Sequence, residues 1–276
     1  MLTTVQAYSS WKSAPVLPLR GRGPETDLLQ IRDIDGLGPV KANVNTVPYG
    51  SIDGSAYSGS LVENRNIVLT IGLNPDWADY SMESLRRLVY AYFMPKKPTR
   101  LVFTSDDDLP KVEITGIVEA VEPNIFAKDV EIQVSIVCPD PYFTSVEGIT
   151  VVGISNQSYL VDYNGSIETG ITVKVIEDDL PAPTVIGVIA DKASQPTFAV
   201  MASVSATKYL ILNSLQGNKY VQNVEQGSGI ITNLLPRMMA GSTWPVLNPG
   251  INDFVVTSDQ GVQEWQLTYF ERFGGL

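Results

Sequence analysis

Cys138 is the single thiol of the 276-residue chain, and no histidine occurs anywhere to serve it as a base. A nucleophilic cysteine needs an electropositive, partly exposed setting and a proton acceptor. The stretch around it, EIQVSIVCPDPYF at 131–143, alternates instead: Ile132, Val134, Ile136 and Cys138 share one face, and Glu131, Gln133, Ser135 and Val137 the other. A period of two is the pattern of a strand covered on one side. Cys138 is therefore expected as a small buried hydrophobe. The missing histidines also remove the serine and cysteine triads in their usual form and the commonest metal ligand.

Carboxylates remain. Asp106 to Asp108 precede Leu109-Pro110, and Glu177, Asp178 and Asp179 precede Leu180-Pro181. Both clusters read as acidic turns, because such residues bond their own backbone, rather than as calcium or catalytic sites. A glycosidase pair is defined by its separation in space, which linear spacing does not supply. Gly21-Arg22-Gly23 and Gly227-Ser228-Gly229 lack the strand-turn-helix setting and the lysine of a phosphate cradle, so they read as turns. Asn156-Gln157-Ser158 and Asn164-Gly165-Ser166 match the glycosylation pattern without a secretory signal. Trp244 and Trp265 lie in the second half with Tyr159, Tyr163, Tyr209, Tyr220 and Tyr269. Trp244 is a candidate for stacking on a sugar ring, against the plainer reading of core aromatics. In EWQLTYF, Trp265, Leu267 and Tyr269 share a face expected to be buried. No catalytic residue, cofactor or metal ion is expected.

The elements that would carry these residues are mostly strands. Runs at 28–34, 40–47 and 65–73 are separated by Gly-, Asp- and Ser-rich turns, with a long hairpin or loop at 48–60. Residues 81–93, SMESLRRLVYAYF, form the one expected helix: Met82, Leu85, Val89 and Tyr92 recur at helical spacing, Asp79 or Ser81 caps it, and Pro95 ends it. A hairpin turns around Asp106 to Asp108. Pro139 and Pro141 then stop the strand that holds Cys138. Beyond them come short strands at 149–154, 158–163, 171–177, 184–189, 197–202, 208–213, 219–224, 253–257 and 262–270, the spacing of a β-sandwich.

Length gives two domains, divided here into 1–143 and 144–276. One cysteine rules out an internal disulfide. Without a signal-type N-terminus or a run of 18 apolar residues, the expectation is a soluble protein made in the cytoplasm. Net charge is −11, with 13 basic and 18 acidic residues up to 143 and 6 and 12 after it. Both halves are acidic, which opposes gripping nucleic acid by its phosphates.

DGLGPVKANVNTVPYGSIDGSAYSGS, NRNIVLTIGLNPDW, SLRRLVYAYFMPK and VEPNIFAKDVEIQVSIVCPDPYF resemble successive blocks of the N-terminal domain of distal tail proteins from long-tailed, non-contractile bacteriophages. YNGSIETG, LILNSLQGNKYV, SGIITNLLPRMMAGSTWPVLNPGINDFVV and LTYFERFGGL resemble the galectin-like β-sandwich that follows it in the same proteins. The resemblance implies a mainly β protein: an N-terminal β-sandwich or split barrel with one helix, then a galectin-like sandwich. It implies a structural virion protein at the tail tip, a homo-oligomer expected as a hexameric ring. Such a ring joins the tail tube to the baseplate hub or tail fibre, with DNA passing through unbound and no membrane involved.

Within that reading, candidate subunit contacts are Tyr49 and Tyr57 in the 48–60 segment, Arg65, and Arg86 and Arg87 beside the helical stripe. Pro139, Pro141, Tyr142 and Phe143 are the expected hinge between domains. Residues 1–27 match loosely and, being proline-rich and core-poor, are expected as an arm reaching a neighbour. The competing readings are a carbohydrate-binding adhesin acting through the second domain and Trp244, and, with least support, a carboxylate glycosidase.

Overall fold

A computed structural model describes residues 2–9, 16–20, 28–76, 79–105, 110–124, 129–176, 184–193, 197–202 and 207–276. The acidic clusters at 106–108 and 177–179 and the Gly21-Arg22-Gly23 turn lie outside them. The chain divides into two units, residues 1–146 together with 273–276, and residues 147–272.

In the first unit the strands are β1 (Leu2–Ser9), β2 (Val16–Arg20), β3 (Leu29–Asp35), β4 (Ala42–Pro48), β5 (Ser55–Val62), β6 (Arg65–Leu73), β7 (Pro98–Ser105), β8 (Val112–Asn124), β9 (Glu131–Cys138) and β10 (Phe143–Ser145). They run in the order β10-β8-β7-β1-β2-β3-β6-β9, and β9 pairs again with β8. That second pairing closes a barrel. It is possible because β8 is 13 residues long: Val112–Ile117 pair with β7, and Ile117–Asn124 with β9. The inward residues alternate as barrel strands require, with Ile67, Leu69 and Ile71 on β6 and Ile132, Val134, Ile136 and Cys138 on β9 all fully buried.

Helix α1 (Met82–Tyr92) packs on β1 and β6 and buries Leu85, Val89 and Tyr92. Burying Leu85 and Val89 contributes about 2 kcal/mol each. Of the two expected caps Ser81 is the one used, its hydroxyl accepting from the Ser84 N–H at 3.2 Å.

The 1–27 segment departs from expectation. β1 lies between β2 and β7 in register from Thr4 to Ser9, and Val5, Ala7, Leu17 and Leu19 are buried in the barrel. These strands are staves of the barrel rather than an arm. Their signal is weak because β1 turns Ala7 and Ser9 inward, residues too small or polar to mark an apolar face.

The second unit comprises β11 (Ile149–Ile154), β12 (Ser158–Tyr163), β13 (Thr169–Ile176), β14 (Thr184–Ile189), β15 (Phe198–Ala202), β16 (Lys208–Asn213), β17 (Tyr220–Glu225), β18 (Ile231–Asn233), β19 (Val246–Leu247), β20 (Gly250–Ser258) and β21 (Glu264–Tyr269). One sheet runs β11-β21-β13-β16-β17-β18, with β19 on β13; the other runs β12-β20-β14-β15. Their inner faces share one core in which Val173, Leu210 and Leu267 of the first meet Ile186, Phe198 and Phe254 of the second. This is a β-sandwich. Trp265, Leu267 and Tyr269 are buried together, as their shared face requires. A last strand, β22 (Arg272–Phe273), pairs with β10 on the barrel sheet.

Candidate functional site: a two-stranded hairpin and its neck

β4 and β5 pair with each other and form a sheet of two strands. None of residues 42–62 is buried. Residues directly opposite in an antiparallel pair share a face. The register therefore puts Val44, Tyr57 and Val62 on one side of the ribbon and Val47 and Leu61 on the other. Leu61 is 75% exposed, Tyr57 67% and Val44 60%, and Ile52 in the connecting turn is 72% exposed. The turn closes through the Tyr49 N–H on the Gly54 carbonyl at 3.3 Å. A register shift lies between Asn45 and Thr46, opposite Gly59, whose φ of +137° suits glycine. An isolated two-stranded ribbon is marginal in water, and this one shows apolar side chains on both faces. Such a surface is what a partner covers.

The neck of the hairpin is built around Arg65, the first residue of β6. Its Nε donates to the Pro141 carbonyl at 2.6 Å, Nη1 to Gly38 at 2.7 Å and also to Gly36, and Nη2 to Gly274 at 2.6 Å. The guanidinium lies over the Phe143 ring, 4.4 Å from its centroid. Arg65 is 1% exposed. This corrects its assignment to a subunit contact: the fork is spent on main-chain carbonyls inside the first unit. Gly36 meets this close approach with a φ of +88°, and a Cβ there would fall on the Asn66 carbonyl.

Burial lowers the pKa of Arg65, and burial pushes the Cys138 thiol up to about 11, the neighbouring Arg65 charge opposing and Asp140 reinforcing the shift. Cys138 is fully buried. It is the small hydrophobe its place in the alternation called for, and at neutral pH it stays a thiol.

The remaining expected residues fall apart in space. Tyr49, 50% exposed, and Tyr57 belong to the hairpin. Arg87 on α1 is exposed and pairs with Glu83 one turn back at 2.7 Å, and Arg86 beside it is half-buried. Phe143 is fully buried in the barrel core, edge-on to Phe103 at 5.6 Å, and Tyr142 donates its N–H to the Asp140 carboxylate at 3.3 Å. With Pro141 bonded to Arg65, the segment from Pro139 to Phe143 is part of the body of the first unit. The chain leaves that unit after Val146. Trp244 is half-buried, its ring packed on Phe198 at 5.0 Å with Lys219 6.0 Å from its centroid. Among the described residues no group of three or more Cys, Asp and Glu converges as metal ligands. Among them too, no helix is long and apolar enough to cross a membrane.

Sequence reasoning passed over Val44, Val47 and Leu61, because a strand-like run followed by a Gly- and Ser-rich hairpin or loop gives no sign that both faces of the ribbon are open. The carbonyl cage of Arg65 has no local signal, since its members span residues 36 to 274.

Residues 26–138, which span β3 to β9 and the hairpin, match the phage tail protein RIFT-related domain. The whole fold is similar to that of the Dit protein of phage SPP1, described as a paradigm of the hub adsorption apparatus in Gram-positive infecting phages. The TM-score is 0.71 at 12% identity, over 98% of this chain and 99% of that one. It is also similar to chains in the baseplate of phage P2 in its activated conformation with Ca and with Sr, at a TM-score of 0.51 and 10% identity in each, over 97% of this chain and 98% of those. These likenesses meet the resemblance carried by the sequence blocks. No curated protein sequence matches the chain.

Proposed function

We propose that the protein is a structural, non-catalytic component of the phage tail tip. Copies close into a ring through the first unit, join the tail tube to the baseplate hub or tail fibre, and leave a lumen through which DNA passes. The second unit is in this reading a galectin-like sandwich. The protein is made in the host cytoplasm and ends in the virion. The observation that carries the reading is the hairpin: the region that matches a phage tail family bears a two-stranded ribbon with apolar residues on both faces. A second copy of the chain is its occupant. Ribbon contacts between identical copies, with Tyr49 and Tyr57 among them, are head-to-tail, and head-to-tail contacts close into rings when the rotation per copy is right. The outer face of α1, with Arg86 and Arg87, is a further contact of the same kind, since arginine is favoured at interfaces.

Light scattering and negative-stain imaging of the purified chain test this. Six copies of 30.1 kDa give a species of roughly 180 kDa with a central hole. Replacing Tyr57 and Leu61 together by Glu is expected to leave the barrel folded and to lower the mass toward one copy. A double variant that assembles as the wild type does removes the hairpin from the interface. A wild-type chain that stays monomeric at every concentration overturns self-closure.

A further inference from the structure

The neck of the hairpin is completed from the far end of the sequence. Gly36, Gly38, Arg65 and Pro141 all precede the second unit, whereas Gly274 and its neighbours follow it. Besides the Arg65–Gly274 bond, the Leu276 N–H donates to the Leu37 carbonyl at 3.0 Å. Gly275 lies so close to the ascending side of the neck that a Cβ on it would come within 3.0 Å of Pro39 and 3.1 Å of Gly38. Residues 274–276 thus lie along the same Gly36–Pro39 stretch that Arg65 grips from the descending side.

We propose that residues 274–276 are a latch that fixes the pose of the hairpin after the second unit has been made. The inference rests on the hairpin being the assembly contact. The barrel strands β1 to β10 are complete in sequence before residue 147, so the first unit with its apolar ribbon forms while 147–272 are still being synthesised, an interval of roughly 6 to 25 s. During that interval Arg65 lacks its Gly274 acceptor and Leu37 its Leu276 donor, and the ribbon pivots at its root. A pivoting ribbon does not hold the fixed rotation per copy that ring closure demands. Arrival of residues 274–276 supplies both bonds, packs Gly275 on Pro39, and sets the ribbon at one angle. Chains without their second unit are by this device kept out of the ring.

The test uses the full chain, a variant ending after Phe273, and Gly275→Val, which keeps residues 274–276 in the chain but forces the latch off Pro39. Amide exchange over 36–64 is followed in unassembled protein, with β6 to β9 beyond the neck as the internal reference for barrel folding. Exchange at the neck and hairpin is expected to rise about tenfold or more in both variants, the size that loss of a hydrogen bond to a charged group produces. Barrel amides stay as in the wild type, and the yield of closed assemblies falls. Unchanged neck exchange in both variants overturns the latch, as does assembly at the wild-type rate from a loosened neck. Should the shortened chain fail to fold, Gly275→Val carries the same reading. A wild-type chain that never closes, but whose neck loosens in the variants, overturns the ring and leaves the latch as a conformational device.

Discussion

Arg65 shows how one residue can hold a structure whose parts lie far apart in the sequence. A buried cation costs free energy unless its donors are matched. Here the planar fork meets four carbonyls and the face of Phe143. Lysine carries the same charge as a compact head with three donors on one atom, so it does not span that cage. Arg65→Lys is expected to destabilise the first unit by about 2–4 kcal/mol, read as a lower urea midpoint at an unchanged slope. A midpoint and slope equal to wild type would show that the cage is redundant. The site was illegible in the sequence because an arginine at the start of a strand looks like any solvated cation. Cys138 was legible because alternation places a residue on a face and the lack of histidine leaves a thiol nothing to do there.

At the scale of elements, the clearest sequence signals belong to elements with one covered face. α1 and strands such as β12, β14 and β16 lie where apolar period and turn residues put them, and β10, β18, β19 and β22 were missed because two or three residues show no period. β11 also shows how a strand adapts to a neighbour. Gly153 lies opposite Trp265 in the ladder, and a Cβ at that position would come within 2.4 Å of the indole and 2.6 Å of the Tyr159 ring. The missing side chain makes room for an edge-on pair between Tyr159 and Trp265 at 4.9 Å, with the Tyr159 hydroxyl accepting from the Ile154 N–H at 3.0 Å. Gly153→Val is expected to cost about 1–3 kcal/mol by overpacking. Thermal unfolding followed by tryptophan fluorescence checks it, and an unshifted transition would mean that the indole has room to move.

For the whole molecule, charge and topology matter more than any site. A net charge of −11 distributed over both units opposes counterion-driven binding to a polyanion. The chain is therefore expected to leave double-stranded DNA unretarded in a gel even near ~50 mM salt, where such binding is strongest. A salt-sensitive shift would show a concealed basic surface and tell against a lumen that DNA passes without sticking. In the sequence, the proline stop and the change to short strands suggest a division at residue 143. The return of residues 273–276 to the barrel was not legible there, because four residues leave no mark in composition.

That return makes the second unit an insertion in the first, entering after β10 and leaving into β22, strands that are neighbours in one sheet. The sandwich is thus moored at two adjacent points. A pull on it divides between two lines of chain, and a single protease cut in either one leaves it attached. Because paired strands lie only about 4.8 Å apart, a module of different size with closely spaced ends would fit the same berth without opening the barrel.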